Sequence, residues 1–313
     1  MEDAYRAREA RGKLRFLMRT GLLRRVVAVG VFLLTGALAL SVAQIHLELL
    51  TQDAIEARLR AYRGTDFDRE AELKKLFIES GCAADQLSEQ SVKKKQPPNL
   101  ICVLPGASQD EIVVGAHFDH VDEGDGVVDN WSSASLLPSL LFSVRQDHRN
   151  HTYVFIGFMG EEEHLVGSEY YAEHLLPEQR QRIRAMVNMD TLGLGPTEVW
   201  TSHSDPTLAG LLGGMANNLH LPLYGVNVEK VGTTDSESFA RYKIPRITIH
   251  TLTQQTLPIL HSRHDNLDKI RMSDYYDSYK LIAAYLVALD QTVDRKPDAP
   301  AATGGDAAKA QAH

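Results

Sequence analysis

From residue 99 to residue 292, short β-rich runs alternate with segments of helical period, and no other feature constrains the fold as strongly. Strand character is expected over 99–104, 111–116, 152–159, 185–190, 197–201, 222–227 and 245–250. Helix is expected over 133–146, 168–176, 206–219, 235–242 and 273–292. Alternation of this kind implies an α/β architecture, one sheet covered by helices on both faces. Ahead of it, 47–62 and 67–79 also have helical periodicity, with Leu73, Leu76 and Phe77 marking one face of the second. No self-similar period of the kind that builds solenoids is present. With 43% hydrophobic and 24% charged residues in 313, the bulk of the chain has the composition of an ordinary globular domain.

Ligands of open α/β sheets bind outside the carboxyl ends of the strands. That is where this chain places its imidazoles and acids. The run Ile112–Ala116 ends in His117-Phe118-Asp119-His120. With a strand period of two, His117 and Asp119 face the same side, so Asp119 can orient the imidazole. Asp129 follows in a glycine-led loop, Gly126-Val127-Val128-Asp129-Asn130. The run 152–159 leads into Gly160-Glu161-Glu162-Glu163-His164-Leu165-Val166-Gly167-Ser168, and 185–189 into Asp190. His261-Ser262-Arg263-His264-Asp265 precedes the last helix. Each element alone is weak: His-x-Asp is common, and a run of glutamates is most often a solvated helix start. Together they supply the imidazole and carboxylate ligands that suit zinc.

In this order the elements resemble the co-catalytic zinc exopeptidases, a family that includes bacterial leucyl aminopeptidases, glutamate carboxypeptidase and the glutaminyl cyclases. Its pattern is His-x-Asp, Gly-x-x-Asp-Asn, Glu-Glu-x-Gly-Leu-x-Gly-Ser, a strand-ending Asp and His-Thr/Ser-x-x-Asp. The resemblance covers roughly residues 66–292, and Asp235–Phe239 is similar to the family's Asp-His-x-x-Phe helix start. It implies a three-layer fold, a mixed sheet sandwiched by helices. It also implies two zinc ions per chain: His117 and Asp190 on one, Glu162 and His261 on the other, Asp129 bridging. Asp119 would support His117, Glu161 would be the general base, and the Asp129–Asn130 peptide would be cis. Such a pair of metals polarises a carbonyl and generates a nucleophile from water at neutral pH.

Departures from the pattern concern the pocket. His164 stands where the family usually has Gly, Trp131 where a small residue is common, and Ser236 where His is frequent. Leu260 precedes His261 where aminopeptidases often carry an oxyanion-supporting Tyr. Tyr242 and His250 are candidates to replace it, with a structural role the weightier reading of each. The pattern has no slot for His120 or His203, and His264 falls at a variable position.

The charge distribution separates a second region. Residues 1–25 carry eight Arg/Lys against Glu2, Asp3 and Glu9, a balance of +5, so a chain of net −8 leaves −13 on the remainder. An acidic body excludes nucleic acid as a partner. Residues 26–45 are uncharged and apolar, long enough to span a bilayer, with the basic flank on the cytoplasmic side. The expectation is a cytoplasmic leader (1–25), a transmembrane signal-anchor (26–45), an extracytoplasmic peptidase domain (46–292) and a disordered tail (293–313). Ser41-Val42-Ala43 leaves a cleaved signal peptide as the rival reading. Cys82 and Cys102 fall in the exported part. A hairpin of 86–92 with 99–104 would set Cys102 opposite residue 89, so two reduced thiols are expected. The function expected is a metallo-exopeptidase, an aminopeptidase acting on peptide substrates. The alternatives are a single-zinc glutaminyl-peptide cyclotransferase and a non-catalytic binding relative.

Overall fold

The computed structural model describes residues 47–145, 148–228 and 232–293, so the basic leader, the apolar segment 26–45 and the tail beyond 293 lie outside the described residues. Among the described residues, no helix is long and apolar enough to cross a membrane. The strands are β1 (Leu87–Gln90), β2 (Asn99–Leu104), β3 (Glu111–His117), β4 (Thr152–Phe158), β5 (Ile183–Met189), β6 (Thr197–Val199), β7 (Leu223–Gly225) and β8 (Arg246–His250). They form one mixed sheet in the order β1-β2-β4-β3-β5-β8-β6-β7. β4, β3, β5 and β8 run parallel, while β2 and β6 pair antiparallel to β4 and β8.

The helices are α1 (Gln52–Leu59), α2 (Asp66–Glu79), α3 (Leu136–Val144), α4 (Val166–His174), α5 (Pro177–Arg182), α6 (Pro206–Leu219), α7 (Ser236–Ala240) and α8 (Met272–Thr292). Alternate residues of each central strand enter different cores. Ile112, Val114, Tyr153, Phe155, Ala185 and Val187 pack with α1, α2, α3, α6 and α8. Val113, Val154, Ile156, Phe158 and Met186 pack on the other face with Tyr171 of α4 and Phe239 of α7. Strands buried on both faces favour apolar residues throughout, which is why β3 and β4 read as nearly continuous hydrophobic runs, while β5 also buries Arg184 and Asn188 by pairing them with Asp110 and Thr234.

Two differences from expectation have local causes. The first helix is shorter than 47–62 because Thr51 caps it, accepting from the Ala54 amide, while Leu47, Leu49 and Leu50 pack on the core ahead of it. Helix α5 was not expected: its residues, Pro-Glu-Gln-Arg-Gln-Arg, bury nothing, so no apolar period announces it.

The cysteine expectation is corrected. Cys82 and Cys102 are joined in a disulfide, with their Cα atoms 6.3 Å apart. Strand β1 begins only at Leu87, which is itself the residue opposite Cys102. Residues 82–86 turn back at the end of α2, where Cys82 N donates to Phe77 O and Leu87 N to Ala83 O. This turn carries Cys82 over β2, a path that strand register alone does not show.

Topology decides where chemistry can sit. From β3 the chain crosses to β4 on one side, then returns past β3 to β5 on the other. The crevice at such a reversal, above the carboxyl ends of β3 and β5, is the usual ligand position of an open sheet.

Candidate metal centre

His117 is the last residue of β3, paired with Phe158 of β4, and is 1% exposed. Its Nδ1 faces the Asp119 carbonyl oxygen at 3.3 Å and Asp119 Oδ1 at 3.5 Å, leaving Nε2 free to point into the crevice. The Asp119 carboxylate also accepts from the backbone amides of Glu161 (3.3 Å) and Glu162 (3.2 Å). One buried acid therefore ties the end of β3 to the loop after β4.

Asp129 sits on the loop from Gly126, and its peptide bond to Asn130 is cis. The Asp265 carboxylate accepts from Val128 N (2.7 Å) and Asp129 N (3.0 Å). Asn130 Nδ2 donates to Met189 O, and Thr191 N donates back to Asn130 Oδ1, so the same loop is clamped to the end of β5. Asp190, just past that end, accepts from Thr191 Oγ1 (3.1 Å) and Thr234 Oγ1 (2.6 Å).

These supports bring the side chains together. Asp129 Oδ1 lies 3.3 Å from His117 Nε2 and its Oδ2 lies 3.3 Å from His261 Nε2. His117 Nε2 is 3.9 Å from Asp190 Oδ1, and His261 Nε2 is 2.9 Å from Glu162 Oε2. Two groups result, His117/Glu161/Asp190 and Asp129/Glu162/His261, each with one donor atom per residue within 4.8 Å of the others. All seven residues singled out in the sequence meet here.

The electrostatics call for cations. Burial opposes charge on His117, yet Glu161, Asp119 and Asp129 hold its pKa well above the ordinary 6.5. Asp129 and Glu162 raise His261 to about 10. Burial works against the Asp129 carboxylate, but the two imidazoles outweigh it and hold its pKa far below the usual range. Burial raises Glu161 well above 4.5, with Asp190, Asp235 and Asp129 adding to the effect and His117 opposing it. Protons on the two imidazoles thus neutralise carboxylates that a divalent cation would satisfy better. Glu162 Oε1 is buried without a hydrogen-bond partner. A buried carboxylate oxygen is not left unpaired without cost, and this one suits a metal. Nitrogen and carboxylate donors in this arrangement fit zinc.

The remaining histidines have other work. His120 Nδ1 pairs with Asp66 Oδ1 at 2.8 Å, and His203 pairs with Glu237. His264 lies exposed. Neither candidate for oxyanion support serves. His250 Nε2 donates to Val226 O and its Nδ1 accepts from Leu252 N, and burial lowers its pKa to about 4. Tyr242 lies under the Arg180 guanidinium, 3.7 Å away, beside the core of the opposite sheet face. Two neighbours of the centre lie outside the motifs: Thr234, which donates to Asp190, and Arg69, which donates to the carbonyls of Phe118, Asp125 and Gly126. Arg69 did leave a signal, since it falls in helical register with Leu73 and Leu76 on the apolar face of α2.

Beside the candidate ligand atoms the crevice has an apolar wall of Trp200, Val228, Leu252, Leu257 and Leu260.

Residues 99–286 match the family described as Peptidase family M28. A protein named "Probable leucine aminopeptidase" from Arthroderma benhamiae is 25% identical over 206 residues, covering 61% of this chain and 57% of that protein. The chain thus spans a little over half the length of that relative. The LapA aminopeptidase of Legionella pneumophila superposes with a TM-score of 0.64 at 22% identity, over 85% of this chain and 84% of that one. An Acidobacteriales bacterium glutaminyl cyclase gives 0.66 at 18% identity, over 80% of this chain and 98% of that one. The two superpositions establish a shared fold.

Proposed function

The chain belongs to peptidase family M28, and on that premise we propose that it is a zinc-dependent aminopeptidase with two zinc ions per chain. The observation that carries this reading is the Asp129 carboxylate, which divides its two oxygens between His117 and His261. His117 and Asp190 would hold one ion, Glu162 and His261 the other, and Asp129 both. When bound, such a pair polarises the scissile carbonyl and acidifies the attacking water.

The chain's own residues do the rest. Glu161 stands beside His117 and Asp190, placed to take the water's proton and pass it to the departing amine. Asp119 holds the amides of Glu161 and Glu162, so these adjacent side chains leave the loop in set, different directions. The apolar wall around Trp200 and Leu252 favours a bulky apolar residue at the cleaved end.

The same reading includes export. Residues 26–45 would anchor the chain in a membrane, with the catalytic domain outside the cytoplasm. The Cys82–Cys102 disulfide supports this, because such bonds persist in oxidising compartments.

Likeness to a glutaminyl cyclase along nearly all of that chain favours one competitor, cyclisation of amino-terminal Gln at a single zinc. Full-length protein with zinc would be assayed on leucyl, lysyl and glutamyl anilides, N-acylated peptides and Gln-peptides. Chelator-sensitive release from free-amine, apolar substrates is the expected result. Pyroglutamate formation without hydrolysis, or hydrolysis indifferent to chelation, would refute the proposal.

A further inference from the structure

The family match begins at residue 99, yet a buried charge ahead of it reaches the metal centre. Arg69 of α2 is 1% exposed. Its guanidinium is spent on backbone carbonyls: Nε donates to Tyr62 O (3.1 Å), Nη1 to Phe118 O and Gly126 O (3.2 Å each), and Nη2 to Asp125 O. Burial lowers its pKa, while the nearby carboxylates of Asp66, Asp265, Asp119 and Asp125 favour its charge.

The acceptors matter because of what flanks them. Phe118 lies between His117 and Asp119, at the end of β3. Asp125 and Gly126 open the loop that ends in Asp129. One planar fork therefore spans the two segments whose spacing brings His117 Nε2 and Asp129 Oδ1 to 3.3 Å. A guanidinium suits this task because its donors are fixed in one plane, whereas an ammonium on a flexible stem is not. The loop has no slack against it. Gly126 is left-handed, with φ of 53°, and a Cβ there would come within 2.4 Å of His120 and 3.1 Å of Arg69.

Trp131, the bulky departure from the family pattern, belongs to the same device. Its ring centre lies 5.9 Å from the Arg69 guanidinium carbon, and its Nε1 donates to Arg58 O at the end of α1. On the same helix, Asp66 holds His120. Helices α1 and α2 thus grip the ligand-bearing segments from a part of the chain that the family match omits.

We propose that Arg69 is a positioning residue for the metal held by His117, Asp190 and Asp129. It acts by setting the distance between the end of β3 and the bridging loop. The Glu162/His261 side depends on it less, since Arg69 donates to neither of those segments and meets them only at second hand, through Asp119 on the Glu162 amide and Asp125 on the Asp265 carbonyl, while Asp265 separately holds the Asp129 amide. This inference rests on the two-zinc reading.

The test is zinc stoichiometry and affinity of the full-length chain, by competition with a chromophoric chelator, for wild type, Arg69→Met and Arg69→Lys, beside thermal melts. In Arg69→Met one zinc should weaken by about 10–100-fold, as when an outer partner of a ligand is lost, and the other should hold. Arg69→Lys keeps the charge without the fork and should show the same asymmetry, less severely. It carries the test if Arg69→Met fails to fold. In Co²⁺-loaded protein the visible spectrum of one site should change. Two ions bound as in wild type, whatever the melting temperature, would overturn the proposal, as would equal weakening of both. A wild-type chain that binds fewer than two zinc ions would instead sink the underlying reading.

Discussion

Replacing Glu198 with glutamine should stabilise the protein in alkali and leave it unchanged in acid. Glu198 lies on β6 opposite His250 of β8, 6% exposed, with Oε2 buried and unpartnered. The nearest base is His250 Nδ1, 3.6 Å away, but that nitrogen accepts from the Leu252 amide and the ring stays neutral. Burial consequently raises the Glu198 carboxyl from 4.5 to about 7. The folded state then binds this proton more tightly than the unfolded chain does. Its contribution to stability is complete below the unfolded value and is lost as pH climbs through the folded one. At about 1.4 kcal/mol per pH unit, the gap corresponds to about 3 kcal/mol. Glu198→Gln keeps the volume and removes the titration. Melting followed by circular dichroism should show no gain below about pH 4.5 and a rise of roughly 6–10 °C above about pH 8. An equal gain at both pH values, or none in alkali, would refute the argument that an ionised buried carboxylate is the source of strain. The measurement bears on the candidate metal centre, because His250 of β8 and Trp200, which follows β6, line its crevice.

Three further outcomes are expected. Glu162→Ala should lose zinc together with activity, whereas Glu161→Gln should keep its metal and lose roughly 10²–10⁴-fold in turnover; zinc analysis beside kcat decides, and the reverse pattern would shift the glutamate assignment by one residue. Reducing the Cys82–Cys102 bond, which closes a separation of 20 residues, should cost about 3 kcal/mol in a denaturant titration, and unchanged stability would show that the loop is already ordered without it. Protease added outside intact cells should digest the catalytic domain if residues 26–45 anchor it outward, and survival of the domain would rule that topology out.

Much of this protein is local in origin and therefore legible in its sequence. Strand period and helix period alternate because each strand must fill two cores and each helix only one, so the α/β sheet could be read before any contact was known. His117, Glu161 and Asp190 lie at or just past strand ends, so parallel strands alone bring them to one edge. What the tertiary structure decided depends on residues far apart in the chain. Cys82 reaches Cys102 through a turn that belongs to no strand register. His250 faces the pocket, but backbone partners 2 and 24 residues away consume both its nitrogens, so its ring has no donor to offer an oxyanion. Asp265 holds the Asp129 amide from 136 residues away, and Arg69 grips the same loop from 56 residues before it. Sequence periodicity reports which face a side chain occupies, because that follows from the backbone of its own element. It carries no information on which distant carbonyl or amide will meet that side chain, since only packing the elements against one another brings the partner there.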